Sequence, residues 1–285
     1  MIEPPKLACC NFFPDVDRTR SFALAHGFSG VEWTFTWDDL AHSLEREERL
    51  AEETASLYPL EVRFHAALKK VGLGLADEAR SAEGLEIMKR LCRLAVRCGG
   101  RFMTIHLGLG RDSTWSHSWD GALARLKKLY EYARELGLTL CLENLAWGWT
   151  SKPNLFEKLI RGSGMHATLD IGHARASESV TSLYYQLEDF TLPHPEKFLS
   201  AHIYHEETDD RHVAPTGLND LVDRLNLLWR LPHCEWWVLE LREEEPLLQT
   251  LNAVREYLGR KLYLGGEMHA GLTFEEGILN GRSPR

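Results

Sequence analysis

No apolar run in the chain approaches the ~18 residues that a membrane span needs. The opening residues, MIEPPKLACC, show no basic stretch followed by an apolar one, so neither a spanning helix nor a secretory leader is expected. The six cysteines (Cys9, Cys10, Cys92, Cys98, Cys141 and Cys234) form no C-x-x-C pair, and most sit in apolar segments. They are expected to be reduced and buried, in a cytoplasmic protein. Cys9 and Cys10 have the chemistry for metal or redox work, but packing on a first strand accounts for them better. G-x-G-x-x-G is absent, which argues against an open, doubly wound dinucleotide-binding sheet. Lys and Arg cluster no further than pairs such as Lys69–Lys70 and Lys127–Lys128, and the net charge is −9. Proteins that grip phosphates usually show a basic face, so this balance argues, weakly, against nucleic acid. No low-complexity linker divides the 285 residues. One domain spanning 1–285 is expected, of a size typical for α/β barrels and able to bury a core without disulfides.

Short apolar runs instead alternate with helical periodicity, the pattern of repeated βα units. Eight runs read as strands: 7–12, 30–34, 61–66, 102–107, 139–144, 166–170, 199–203 and 237–241. Several are nearly continuous apolar stretches, as parallel strands covered on both faces require. Between them, Leu85, Met88, Cys92 and Ala95 form a helical stripe stopped by Gly99. Leu123, Leu126, Tyr130 and Ala133 form another, stopped by Gly137. Leu247, Leu251, Val254 and Leu258 form a third, with Pro246 in its first turn and Gly259 at its end. Asn154 and Asn219 read as N-caps, and a helix is expected around 179–187. From about residue 260 the chain is Gly-rich without clear periodicity, and reads as a tail that wraps the barrel or reaches a partner in a homo-oligomer. Eight βα units predict an α/β fold of the closed (β/α)8 TIM barrel type.

Barrel enzymes keep their active sites at the C-terminal ends of the strands. There the sequence places His65 on strand three, His106 on strand four, Glu143 on strand five, and Asp170 with His173 at strand six. His202 follows on strand seven, Asp210 and His212 in the loop after it, and Glu240 on strand eight. Five of the 13 histidines belong to this set. Imidazole and carboxylate are the ligands of Zn, Mn and Co, whereas carboxylate and water suit Mg and Mn. Singly, each residue has a plain structural reading: a hydrogen-bonded histidine, a Glu paired with Arg, an Asp capping a helix. Jointly they point to metal, because a Glu or Asp in an apolar run such as HATLD or WVLEL is costly without a partner. Crowded carboxylates also repel one another unless a cation lies among them. His205, His194, His117 and His26 lack strand-end placement and read as surface or supporting residues. Glu206 and Glu207 read as a solvated loop. Trp33, Trp147 and Trp149 follow strands two and five and can wall a pocket or stack on a sugar ring, although core packing suits Trp33 equally.

With L-E-N at 142–144, L-D-I-G-H at 169–173, the His-bearing strand seven with D-R-H at 210–212, and L-E at 239–240, the chain resembles the xylose isomerase-like TIM-barrel superfamily. That group includes sugar and sugar-phosphate isomerases and epimerases, and endonuclease IV. The resemblance covers roughly 65–243. In the epimerase branch it implies one divalent ion held by Glu143, Asp170, His202 and Glu240, with the two glutamates moving the proton. It also implies substrate-binding groups near His173 and Arg211. His65 and His106 are then ligands or substrate-binding groups, and Trp147 a wall for the sugar. In the endonuclease branch the same resemblance implies three zinc ions on His65, His106, Glu143, Asp170, His173, His202, Asp210, His212 and Glu240. The glycine-rich stretch that follows strand five in that branch is replaced by Leu145-Ala146-Trp147-Gly148-Trp149, and the loop from His202 to Asp210 is short.

These departures favour a small ring over a DNA backbone. The expected function is a sugar or sugar-phosphate isomerase or epimerase that uses Mn, Zn, Co or Mg. A metal on the carbonyl and hydroxyl oxygens of a ketose stabilises an enediolate, and two flanking carboxylates exchange the proton. The alternative is a trinuclear zinc phosphodiesterase acting on abasic DNA. One divalent ion leaves the four carboxylates Glu143, Asp170, Asp210 and Glu240 net negative, which opposes a phosphate; three reverse the sign. A catalytically silent sugar-binding barrel ranks last, since it has no need of both glutamates.

Overall fold

The structure, a computed structural model, describes residues 3–40, 44–68, 71–108, 114–208 and 211–276, with side chains up to residue 263. The strands are β1 (Lys6–Cys10), β2 (Gly30–Thr34), β3 (Glu61–Ala66), β4 (Phe102–Ile105), β5 (Thr139–Glu143), β6 (His166–Asp170), β7 (Phe198–Ile203), β8 (Glu206–Thr208), β9 (Arg211–Val213) and β10 (Trp236–Leu239). Eight of them close into a parallel barrel in the order β1-β10-β7-β6-β5-β4-β3-β2, and β8 and β9 form a separate antiparallel hairpin. The fold is the expected (β/α)8 barrel. Three strands coincide with the runs read from sequence, and the other barrel strands differ from theirs by one or two residues at their ends.

The helices are α1 (Val16–Ala25), α2 (Leu44–Ser56), α3 (Glu78–Arg97), α4 (Trp119–Glu135), α5 (Pro153–Ser163), α6 (Ile171–Ala176), α7 (Glu178–Thr181), α8 (Val222–Trp229) and α9 (Glu244–Glu276). Leu85, Met88, Cys92 and Ala95 turn the buried face of α3 onto the barrel, and Gly99 closes the turn after it at φ +79°. Leu247, Leu251, Val254 and Leu258 do the same for α9. Several sequence expectations are corrected. Gly259 does not end α9, which runs on to Glu276, so helix occupies most of the expected tail. Residues 277–285 lie outside the described residues. Asn154 is not a cap: Lys152 holds that position and Pro153 opens α5, its missing N–H costing nothing there. Asn219 lies in a short 3-10 turn, and Leu221 precedes α8. The single helix expected around 179–187 is replaced by α6, α7 and a 3-10 turn at Leu187–Phe190.

Strand periodicity sorts the barrel into two environments. Outward residues such as Val31, Phe64, Met103, Leu140, Leu169 and Trp237 join the apolar layer beneath the helices, with Trp33 in that core. Inward residues are mostly polar or small, with Phe102, Trp236 and Val238 as apolar exceptions. Thr104 on β4 and Thr168 on β6 are hydrogen-bonded at 2.9 Å although β5 lies between them, so they meet across the interior. Thr168 continues the chain to Ser200 at 2.7 Å. Lower down, the Arg63 guanidinium lies between the rings of Phe102 and Trp236, at 4.1 and 4.4 Å from their centroids. Gly30 makes room for Trp236, since a Cβ there would overlap the indole and the Glu61 carbonyl. All six cysteines are free, and five of them are buried.

Candidate metal centre

The inward positions at the C-terminal strand ends are titratable almost without exception. Glu143 ends β5, Asp170 ends β6, His202 lies in β7, and Glu240 directly follows β10. All four are buried, and their ligand atoms lie within 4.8 Å of one another. Nδ1 of His202 faces Glu240 Oε2 at 3.0 Å, Glu143 Oε1 at 3.4 Å and Asp170 Oδ2 at 3.9 Å. His65 on β3 and His106 just past β4 form a second group with Glu143: His65 Nε2 is 3.0 Å from His106 Nε2, and both are 3.1 Å from Glu143 Oε2. Both groups could hold a metal ion, as could a third, Glu32 with His65 and His202.

The motif residues have local causes. Asn144, which follows Glu143, clamps β5 to β6: its Nδ2 donates to the Asp170 carbonyl at 2.9 Å, and its Oδ1 accepts from the Asp170 N–H at 2.8 Å. Asp170 caps α6 through Oδ1, which accepts from the His173 N–H at 2.6 Å, leaving Oδ2 for the site. A Cβ at Gly172 would overlap the Tyr204 ring, so glycine is the residue that lets α6 lie on that ring. Tyr204 in turn stacks on His212 of β9, with the ring centroids 3.8 Å apart. His212 Nδ1 donates to the Glu240 carbonyl at 2.6 Å, and His173 Nδ1 to the Asn144 carbonyl at 3.2 Å. A carbonyl can only accept, so both rings carry a proton on Nδ1.

Sequence reasoning missed two residues. Glu32, at the centre of β2, is 1% exposed, and its Oε2 lies 2.8 Å from His202 Nε2 and 3.6 Å from His65 Nδ1. Its signal was legible: a charge inside the apolar run GVEWT. Glu207 is not in a solvated loop. It lies on β8, and its Oε2 is 3.0 Å from His173 Nε2. Other expectations fall further from the centre. Arg211 is exposed on β9, and Asp210 lies outside the described residues. Trp147 is half-buried with its ring 5.6 Å from that of His173, whereas Trp149 packs on Trp119 at 5.2 Å.

Electrostatics separate the carboxylates. Burial raises Asp170 to about 6, with Glu143 and Glu240 adding to the rise against His173 and His202. Burial also opposes ionisation of Glu143, but the imidazoles of His202, His106 and His65 hold it well below the usual carboxylate range. Glu240 is likewise lowered against burial, by His202 and His212. Several buried atoms of this centre have no hydrogen-bond partner: Glu143 Oε1, Asp170 Oδ2, Glu240 Oε2, Glu32 Oε2, His65 Nδ1 and both nitrogens of His202. Buried polar groups are rarely left so, and a divalent cation with N and O ligands would satisfy Glu143 Oε1, Asp170 Oδ2, Glu240 Oε2 and His202 Nδ1 together.

The profile of the xylose isomerase-like TIM barrel family matches residues 21–258. The chain belongs to that family. An uncharacterised protein of Methanocaldococcus jannaschii is 27% identical over 160 residues, covering 56% of this chain and 68% of its own length. Among solved structures, a D-tagatose 3-epimerase-like protein superimposes with a TM-score of 0.71 at 16% identity, covering 89% of this chain and 97% of that one. Endonuclease IV from Thermus thermophilus gives 0.61 at 17% identity, covering 90% and 100%. Likeness at these identities shows the shared fold. Members of the family are enzymes of both kinds, which supports an enzyme here. Among the described residues no helix is long and apolar enough to cross a membrane.

Proposed function

We propose that this chain is a divalent-metal-dependent isomerase or epimerase of a sugar or sugar phosphate. The observation that carries the reading is the convergence of four buried ligand groups, Glu143, Asp170, His202 and Glu240, within 4.8 Å at the strand ends. These four would hold the ion, with His65, His106, His173 and His212 close by as further ligands or substrate contacts. When bound, a divalent ion supplies Lewis acidity toward the carbonyl and hydroxyl oxygens of a ketose. The remaining work falls to the chain. Glu143 and Glu240 stand on strands separated by β6 and β7, and both are held ionised by their imidazole neighbours. One is placed to take the proton beside the carbonyl and the other to return it. Trp147, beside His173, offers an apolar wall for the ring, and Arg211 on the hairpin offers a cation to substrate oxygens. Elemental analysis of protein purified without chelators, followed by a ketose screen with Mn²⁺, Co²⁺, Mg²⁺ and Zn²⁺, tests this. About one ion per chain with ketose turnover is expected; no turnover of any ketose with full metal loading overturns it.

The second group, His65, His106 and Glu143, supports an alternative, an endonuclease IV-like phosphodiesterase with several zinc ions. Three zinc ions per chain with cleavage of abasic-site DNA would establish it.

A further inference from the structure

Each histidine that ligates a metal needs its other ring nitrogen held, so that the correct lone pair faces the ion. The structure shows how this is done for two rings: the Glu240 carbonyl holds Nδ1 of His212, and the Asn144 carbonyl holds Nδ1 of His173. Among the described residues, His202 and His65 face no such carbonyl. Behind both lies one carboxylate. Glu32 Oε2 is 2.8 Å from His202 Nε2, the nitrogen opposite the one facing Glu143, Asp170 and Glu240. The same oxygen is 3.6 Å from His65 Nδ1, the nitrogen opposite the one facing His106 and Glu143. The register pairs Glu32 with Arg63 and Thr34 with His65, so Glu32 stands one inward layer below His65 on the neighbouring strand. That places it under the two groups of ligands. At 1% exposure it has no solvent to satisfy it.

We propose that Glu32 is a positioning residue: a single buried carboxylate whose charge faces Nε2 of His202 and Nδ1 of His65, and so aims the opposite ring nitrogen of each into one of the two ligand groups. The inference rests on the metal-centre reading above. It makes β2, which contributes no ligand to the family pattern, the strand that ties the two groups together. A positioning carboxylate raises the basicity of the rings it holds and fixes their tautomer and orientation. Loss of its charge weakens metal binding without changing how many ions bind. Loss of its acceptor as well weakens binding further.

The test uses the full chain as wild type, Glu32→Gln and Glu32→Leu, stripped of metal and titrated with Co²⁺ against a chelator of known affinity. Visible absorption is recorded at saturation, and melting is followed in the metal-free state. Wild type is expected to bind Co²⁺. Both variants are expected to bind about 10–100-fold more weakly, Glu32→Gln at the lower end because it keeps an acceptor. Saturation stoichiometry should stay unchanged while the cobalt absorption bands shift. Melting of the metal-free variants checks that each is folded, since removing one partner of a buried charge pair destabilises. If Glu32→Leu fails to fold, the near-isosteric Glu32→Gln decides alone. Affinity equal to wild type overturns the positioning role and leaves the metal centre standing. Loss of a whole ion at saturation, with the rest bound at wild-type affinity, also overturns it and makes Glu32 a ligand. A wild type that binds no divalent ion removes both readings together.

Discussion

The lower and upper halves of the barrel interior both hold polar groups, yet they treat them differently. Below, the partners are built in. Arg63 is stacked between two rings and paired with Glu61 at 2.9 Å, and the hydroxyls of Thr104, Thr168 and Ser200 satisfy one another. Among the described residues, the Trp236 indole N–H and His166 Nδ1 at the start of β6 are without a partner there. Above, Glu143, Asp170, Glu240 and both nitrogens of His202 leave atoms unpartnered within a few ångströms. A chain able to complete a polar network below has the means to do so above. The incomplete half is therefore where a ligand from outside belongs, and the complete half is scaffold.

The sharpest way to break this comparison is to remove a proton-transfer group from the upper half. Glu143→Gln or Glu240→Gln should lower ketose turnover by about 10²–10⁴-fold, measured with melting temperature as the control for folding. An equal loss on changing a lower-half residue would erase the distinction.

Metal removal comes next. At metal about 100-fold above its dissociation constant, binding stabilises by about 3 kcal/mol, which for a chain this long corresponds to a melting shift of about 5–10 °C. Stripping with a chelator should reverse that shift. It should also depend on pH. Burial works against the charge of His202 and His173, but Glu143, Glu32 and Glu240 around the first, and Asp170, Glu143 and Glu207 around the second, raise both well above the usual imidazole range. A raised imidazole stabilises the metal-free fold at low pH, and that contribution is lost as pH rises through the folded value. Metal must displace the same protons. The melting shift given by metal is therefore expected to grow from about pH 6 to about pH 8; a shift that shrinks over that range would place the ions on other groups.

In the lower half the effects should be on stability alone. Gly30→Ala forces Trp236 or the Glu61 backbone to move and should cost about 1–3 kcal/mol in a denaturant melt, with metal content unchanged. Thr168→Val removes one link of the hydroxyl chain and should cost about 1 kcal/mol. Altered metal stoichiometry in either variant would show that the halves are not separate.

How much of this was legible in the chain follows from how each residue is held. Strands β2, β3 and β6 were readable to the residue because apolar runs bounded by turns leave little freedom in where a parallel strand begins. The ligand set was readable because Glu143, Asp170, His202 and Glu240 each end or follow such a run. Glu207 was hidden by its context: Glu206-Glu207-Thr208 looks like a solvated loop, and only the pairing of β8 with β9 turns one carboxylate inward. Gly259 misled because a glycine within a helix costs only about 1 kcal/mol relative to Ala, which the buried stripe of α9 outweighs. Glu32 met the same test of a charge in an apolar run, but it stands on a strand outside the stretch where the family motifs fall.

The contact between Gly172 and the Tyr204 ring carries a consequence for the history of such chains. The two positions are not equivalent: a methyl group at 172 meets the ring, whereas loss of the ring makes no clash and removes only the surface on which His212 stacks. Descendants of this sequence that abandon the glycine are therefore those in which the aromatic at 204 had already been traded for something smaller. The order of those two events, ring first and glycine second, should be readable in any lineage that passed through both.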